Sequence, residues 1–444
     1  MTDSLFTRNT HKAFPRFLRG EHIYLYDDAG DQFIDGSSGT VIANIGHGSA
    51  EIAETMAIQA EKLAFLSPGI AISEPAEQLA EKIVSLLSSA FTKCWYQTTG
   101  AEAVEAAIKL ARNAHVTAGH EGKYLVISRW QSYHGSTLGS LSLTGHTPRR
   151  SPLQPLLLPF PHIPPANCYR CPFGKQPTLC GIECAYALER EIRNADPSTI
   201  SAFITEPIVG SGGGVTIPPA GYFEVIREIC DKYNVYWISD EIMTGFWRTG
   251  SLFAFQHWNA EPDIVVFAKG VTAGYAALSG LLVNDKLHQL IHRGTGTFNG
   301  AGTLSGNPVS CAVGLKVLEI MEREKIPERV AELSGYFLEQ LNRLRVIDIV
   351  GDVRGRGFMA AVEFVKNKDS AEPFPTSIGV SRKVIDAAYQ RKLIIYGSSG
   401  ICDGVDGDIV MIAPPLTISK DEIDLLYQRL RDAIKDISDQ LLNS

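Results

Sequence analysis

The chain has 444 residues, 45% of them hydrophobic, and 41 lysines and arginines against 49 aspartates and glutamates give it a formal net charge of −8. That length can bury more than one core, and the mild acidity, with no basic run or interleaved aromatic stripe, argues against a nucleic-acid partner. No apolar stretch approaches the roughly 20 residues that cross a bilayer, and Met1-Thr2-Asp3-Ser4-Leu5-Phe6 lacks a signal-peptide core, so a cytoplasmic protein is expected.

In chain order, the segment from Ile23 to Asp35 reads as a hairpin turning at Gly30. Apolar runs then predict strands over 93–97, 124–129, 200–206, 235–240, 264–268 and 278–284, alternating with helical stretches such as 221–232 after Pro218-Pro219. Such βα alternation predicts a mostly parallel sheet covered on both faces. Beyond 311 the pattern changes. Helices are expected over 309–323 and 328–346, a strand pair near 347–350 and 358–364, a helix over 379–391, strands near Leu393 and Ile409, and a last helix from Asp421. The expected organisation is an N-terminal segment (1–60), a large α/β domain (61–310) and a smaller α+β module (311–444).

A proline-rich stretch, 159–184, carries Cys168, Cys171, Cys180 and Cys184. The spacing suits a tetrahedral zinc site. Four thiols packed without metal are the preferred reading, because many Cys-x-x-Cys pairs bind nothing. A disulfide is disfavoured in a reducing compartment.

The chemistry concentrates at predicted strand ends. Lys269 follows the run Ile264-Val265-Val266-Phe267-Ala268 and precedes Gly270. A lysine there is costly to desolvate unless its amine is used, and desolvation moves the amine toward a nucleophilic state. Asp240 ends the run Val235-Tyr236-Trp237-Ile238-Ser239. Ligands of open parallel sheets bind outside the carboxyl ends of the strands, so the two side chains are expected to face one crevice. Thr98-Thr99-Gly100-Ala101 joins a strand to a helix whose Ala103, Ala106, Ala107, Leu110 and Ala111 share a face. Its glycine and free amides favour an anion. A lysine for an aldehyde, a carboxylate for a ring nitrogen and a turn for a phosphate are the three requirements of pyridoxal phosphate.

Seven motifs in order carry a wider resemblance: Thr99-Gly100-Ala101-Glu102-Ala103-Val104-Glu105, Ser132-Tyr133-His134-Gly135, Glu206-Pro207, Asp240-Glu241-Ile242-Met243-Thr244-Gly245, Ala268-Lys269-Gly270, Thr303-Leu304-Ser305-Gly306-Asn307-Pro308 and Gly355-Arg356-Gly357-Phe358-Met359. With these the chain resembles the class III pyridoxal-phosphate aminotransferases of fold type I. The resemblance implies an α/β fold with a mostly parallel seven-stranded sheet and a smaller α+β domain packed with the N-terminal segment. It also implies Tyr133 on one face of the cofactor ring with His134 beside it, Ile242 on the other face, Glu206 near the ring oxygen, and Thr303 donated across a homodimer to the phosphate. The freed Lys269 amine would serve as general base and acid.

Some positions depart from well-known members. Ser211 stands where gamma-aminobutyrate and ornithine enzymes carry a gating glutamate. Thr40 and Met411 stand where dialkylglycine decarboxylase carries a glutamine and an arginine, and Tyr396 falls where many amine:pyruvate transaminases place a mobile arginine. The expectation is therefore an ω-aminotransferase acting on a primary amine, β-amino acid or β-aminoacyl thioester with a keto acid. Arg129, Arg149, Arg150, Arg248 and Arg356 are candidates for the acceptor carboxylate or a coenzyme A phosphate. A lyase or decarboxylase on the same scaffold is the alternative, and a catalytically idle binding protein the remote one.

Overall fold

The structure, a computed structural model, describes residues 4–87, 90–176 and 179–442. Met1–Asp3 of the N-terminal segment, Pro177 and Thr178 of the cysteine-rich stretch and the last two residues of the C-terminal module lie outside these.

The large sheet has seven strands in the order Phe91–Gln97, Ser279–Asn284, Ile264–Phe267, Tyr236–Asp240, Ile200–Thr205, Leu125–Arg129 and His162–Ile163. Ser279–Asn284 runs antiparallel to both its neighbours, and every other pairing is parallel. All residues of Ile200–Thr205 and Ile264–Phe267 are buried, as strands covered on both faces must be. On one face the helix Gly100–Thr117 lays Ala103, Ala106, Ala107 and Ala111 against Ile204, Ile238 and Val266. The small side chains let the helix approach closely. On the other face Phe203 and Trp237 pack with the helices Glu183–Asn194 and Tyr222–Tyr233. Each large side chain so buried contributes roughly 1.5–3 kcal/mol. The seventh strand, His162–Ile163, lies inside the proline-rich stretch and was not among the expected ones. Two residues between prolines carry no readable periodicity.

The second sheet joins Val350–Arg356, Met359–Asn367, Asp408–Ile412 and Tyr396–Ser399, with Glu372–Pro373 paired beside Met359–Asn367. A third sheet holds Phe17–Glu21, Tyr24–Asp27 and Gln32–Asp35, and Leu393–Ile394 pairs in parallel with the last of these. The hairpin is therefore hydrogen-bonded to a segment more than 350 residues away.

One expected strand is misplaced. The chain over 343–346 forms a 3-10 turn after the helix Ile326–Asn342, and the strand begins at Val350 and runs through Arg356. Its charged residues hid it. Arg354 lies 2.8 Å from Asp352 and 2.7 Å from the fully buried Glu363, so the polar residues are paired within the sheet.

Arg248 ties distant parts together. It is fully buried and donates to the carbonyls of Phe358 (3.0 Å) and Pro414, to Ser38 Oγ (3.3 Å) and to Asn44 Oδ1 (2.8 Å).

Candidate active site

Four chain segments leave the large sheet at one edge, and each delivers a functional group there. Asp240 is the last residue of its strand, Glu206 follows Ile200–Thr205 directly, Lys269 lies two residues beyond Ile264–Phe267, and Thr99-Gly100 follows Phe91–Gln97.

Asp240 is buried. Its Oδ2 lies 2.7 Å from Nδ1 of the equally buried His134, and its Oδ1 accepts the amide of Ile242 at 3.1 Å. Among the described residues His134 Nε2 has no partner. Glu206 is buried too and accepts the amides of Tyr133 (2.9 Å) and Gly210 (2.8 Å); burial raises its pKa.

Lys269 is half-buried and adopts φ +46, a left-handed conformation uncommon outside glycine. Its Nζ donates to the carbonyl of Thr40 at 2.8 Å. Desolvation pushes the amine down to about 8, against the opposing pull of Asp240 and Glu206. An ammonium that titrates there is available as a neutral nucleophile near neutral pH.

The helix at Gly100 begins with a capping box. Thr99 Oγ1 accepts the amide of Glu102, and Glu102 returns a carboxylate oxygen to the amides of Thr98 and Thr99. The amides of Gly100 and Ala101 lie in the first turn, where a helix has no acceptors of its own. Gly100 packs on Ile242, whose Cδ1 would lie 2.8 Å from an added Cβ.

The predicted residues Asp240, His134, Tyr133, Glu206, Ile242, Lys269, Thr99, Gly100 and Ala101 thus gather at one sheet edge. Thr303 does not join them: it is exposed, in a loop tied to Gln97 through Ser305 (3.1 Å). Cys168, Cys171, Cys180 and Cys184 line a separate small recess as free thiols, and burial pushes Cys184 up to about 12. Among the described residues no group of three or more metal-ligating side chains is placed to hold an ion.

Thr40, Gly135, Ser211 and Tyr396 were singled out in the sequence, but three of their contacts were not foreseen: the Thr40 carbonyl with Lys269, Gly135 with Ala101, and the hydroxyls of Ser211 and Tyr396 with Arg149. Gly135 has φ +138, and a Cβ there would sit 2.8 Å from Ala101 Cβ. Ser211 Oγ and Tyr396 OH accept from Arg149 at 3.0 and 2.8 Å. No local sequence signal marks contacts that span 62 and 247 residues.

The residues fit pyridoxal phosphate. Helix-start amides and Thr99 suit a phosphate, buried Asp240 suits a ring nitrogen, and Lys269 suits the aldehyde.

The chain matches the family Aminotransferase class-III over residues 6–434. It is 33% identical over 442 residues to the uncharacterized aminotransferase YodT of Bacillus subtilis, covering 99% of each chain. It is 33% identical over 422 residues to the putrescine–pyruvate aminotransferase of Pseudomonas aeruginosa, covering 94% of this chain and 89% of that one. Among solved structures, a thermostable (S)-enantioselective omega-transaminase from Thermomicrobium roseum superposes with a TM-score of 0.90 at 34% identity, covering 98% and 96% of the two chains. With the strand-edge site and a match across nearly its whole length, the chain belongs to the class III aminotransferases, enzymes that use pyridoxal 5′-phosphate.

Proposed function

We propose that the protein is a homodimeric ω-aminotransferase. It moves an amino group between a primary amine, a β-amino acid or a β-aminoacyl thioester and a keto acid such as pyruvate or 2-oxoglutarate, in two alternating half-reactions. The observation that carries this reading is the neutral character of Ser211 and Tyr396, which present hydroxyls where gamma-aminobutyrate and ornithine enzymes carry a gating glutamate and many amine:pyruvate transaminases a mobile arginine. No fixed salt bridge there demands a carboxylate on the amine donor. Met411 is fully buried and pairs with Tyr396 across neighbouring strands, so it offers the site no charge for orienting a decarboxylation. The names of the Pseudomonas and Thermomicrobium relatives, for a diamine with pyruvate and for an omega-transaminase, agree with this reading.

When bound, pyridoxal phosphate supplies the aldehyde that takes the amino group and the ring that takes up electron density. The chain does the rest. Lys269 Nζ would hold the aldehyde and, as a free amine, would serve as the group that takes up and returns the proton. Asp240 would keep the ring nitrogen protonated, and His134 fixes the orientation of that carboxylate. Tyr133 and Ile242 would hold the ring, and Thr99 with the amides of Gly100 and Ala101 would hold the phosphate, Thr303 being contributed across the proposed dimer. Glu206 orients the 133–134 turn through the Tyr133 amide.

The test is a half-reaction screen that follows the cofactor absorbance. Amines and β-amino acids should bleach it stoichiometrically, and a keto acid should restore it. Release of carbon dioxide or phosphate without accumulation of the aminated cofactor would replace this reading with a decarboxylase or lyase.

A further inference from the structure

Five arginines were candidates for a substrate carboxylate, and their partners rank them. Arg150 is buried and spends its guanidinium on the carbonyls of Ser142 (3.2 Å) and Thr144 (2.7 Å) and on His162 Nε2 (2.8 Å). Arg248 is fully buried under four acceptors, and Arg129 is buried against the Glu206 carbonyl. Arg356 is exposed beside His257, 2.9 Å from its Nδ1. These four brace backbone or stand apart from the strand edge.

Arg149 differs. It is half-buried, its guanidinium carbon lies 4.4 Å from the centre of the Tyr133 ring, and its two terminal nitrogens donate to Ser211 Oγ and Tyr396 OH. Like the other four it has no carboxylate partner among the described residues, but its hydrogen bonds go to side-chain hydroxyls alone and to no backbone carbonyl. Tyr133 adjoins His134, the partner of Asp240, and the charge of Arg149 acts on the Lys269 amine. It is therefore a cation at the mouth of the site whose resting partners are both neutral.

The geometry points to Arg149 as the residue that binds the carboxylate of the keto-acid acceptor, released for it by Ser211 and Tyr396. This rests on the ω-aminotransferase reading and names the group that makes it work with two unlike substrates. A planar guanidinium gains more from a bidentate carboxylate than from two separate hydroxyls. Leaving a hydroxyl forfeits a hydrogen bond to a neutral acceptor and strands no anion. With an amine donor lacking a carboxylate, Arg149 stays on its hydroxyls and over Tyr133, where its charge remains solvated. A glutamate at 211 would hold it permanently.

The two half-reactions separate the alternatives. Enzyme first loaded with an amine is mixed with pyruvate or with acetaldehyde, its carboxylate-free counterpart, and the return of the cofactor absorbance is followed. In Arg149→Gln, kcat/KM for pyruvate should fall about 100-fold, as expected when a carboxylate loses its charged bidentate partner. The acetaldehyde reaction should stay within about threefold, and Arg149→Lys should recover part of the loss. Ser211→Glu leaves Arg149 in place but gives it an anion, so it too should impair pyruvate selectively, and it decides the matter if Arg149→Gln does not fold. Equal losses with both acceptors, or an unchanged pyruvate preference in either variant, would overturn the assignment while leaving the ω-aminotransferase reading intact. If no amine bleaches the wild-type enzyme, that reading fails and takes this one with it.

Discussion

His134 Nδ1 lies 2.7 Å from Asp240 Oδ2, and both side chains are buried. With the Ile242 amide on Oδ1, each oxygen of the carboxylate has one protein partner that fixes its plane. The carboxylate contributes charge and the imidazole contributes orientation, so the two should fail differently. Asp240→Asn preserves shape but not charge and should cut turnover by about 10²–10⁴, the range of a lost proton-holding group. His134→Phe leaves Oδ2 unpaired, costing about 1–3 kcal/mol of local stability, and should lower kcat by only about tenfold. Steady-state kinetics beside urea unfolding separates these effects. Equal losses in the two variants would mean that His134 does more than position Asp240.

Lys269 yields a pH prediction with a definite sign. Burial lowers its amine from the usual 10.5 to about 8, so folding disfavours the protonated form. Covalent capture of the aldehyde by cofactor-free enzyme needs the neutral amine. Its rate should therefore rise with pH to a midpoint near 8, followed by stopped-flow absorbance. The same depression means that the folding penalty is complete below about 8 and is relieved as pH rises toward 10.5. A capture midpoint above 10 would show that the amine is not desolvated. Lys269→Ala should abolish turnover while retaining measurable cofactor affinity through the phosphate contacts.

Gly135 is held at φ +138 with Ala101 Cα 3.0 Å from where a Cβ would stand and Ser140 Oγ 2.5 Å away. Gly135→Ala must push the start of the Gly100–Thr117 helix, because Ala101 is backbone-anchored and cannot rotate aside. Strain and overpacking together should cost about 1–3 kcal/mol. The displacement falls on the amides assigned to the phosphate, so cofactor dissociation should quicken more than global stability falls. Equilibrium dialysis of pyridoxal phosphate against thermal unfolding measures both.

Asp240 and Lys269 were legible because each ends an apolar run at a strand edge, where a lone polar residue stands out against its neighbours, and Gly100 because it opens an alanine-rich helix directly after a strand. The parallel sheet was legible for the same reason: fully buried strands read as unbroken apolar runs. The strand Val350–Arg356 was not, since its Asp352 and Arg354 are neutralised by Arg345 from the preceding turn, by Glu363 on the neighbouring strand and by each other. Arg149 was left undistinguished from Arg150, although one braces carbonyls and the other faces hydroxyls. That difference is set by partners 62 and 247 residues away, which no local pattern encodes. Arg248 belongs to the same class: its four partners come from three separate segments, 38–44, 358 and 414.

His22 Nδ1 lies 3.5 Å from Glu422 Oε1, joining the N-terminal hairpin to the last helix, Lys420–Leu442. The hydrogen bond to Glu422 raises the His22 pKa above 6.5, against partial desolvation and the charge of Arg329. Desolvation works to raise Glu422, but the bonds from His22, Ser419 and Tyr24 outweigh it and bring the carboxyl to about 2. The signs then fix a window. The raised histidine contributes stability that is complete below 6.5 and is lost as pH rises through its folded value. The depressed carboxyl contributes stability that is complete above 4.5 and is lost as pH falls toward 2. The pair is therefore strongest between about 4.5 and 6.5. Because His22 is nearly half exposed, solvent screening limits the pair to about 1 kcal/mol or less. Glu422→Gln should lower the urea midpoint most near pH 5.5 and progressively less near pH 3 and pH 9. A difference between wild type and variant that stays flat across that range would mean that the contact does not couple the hairpin to the helix.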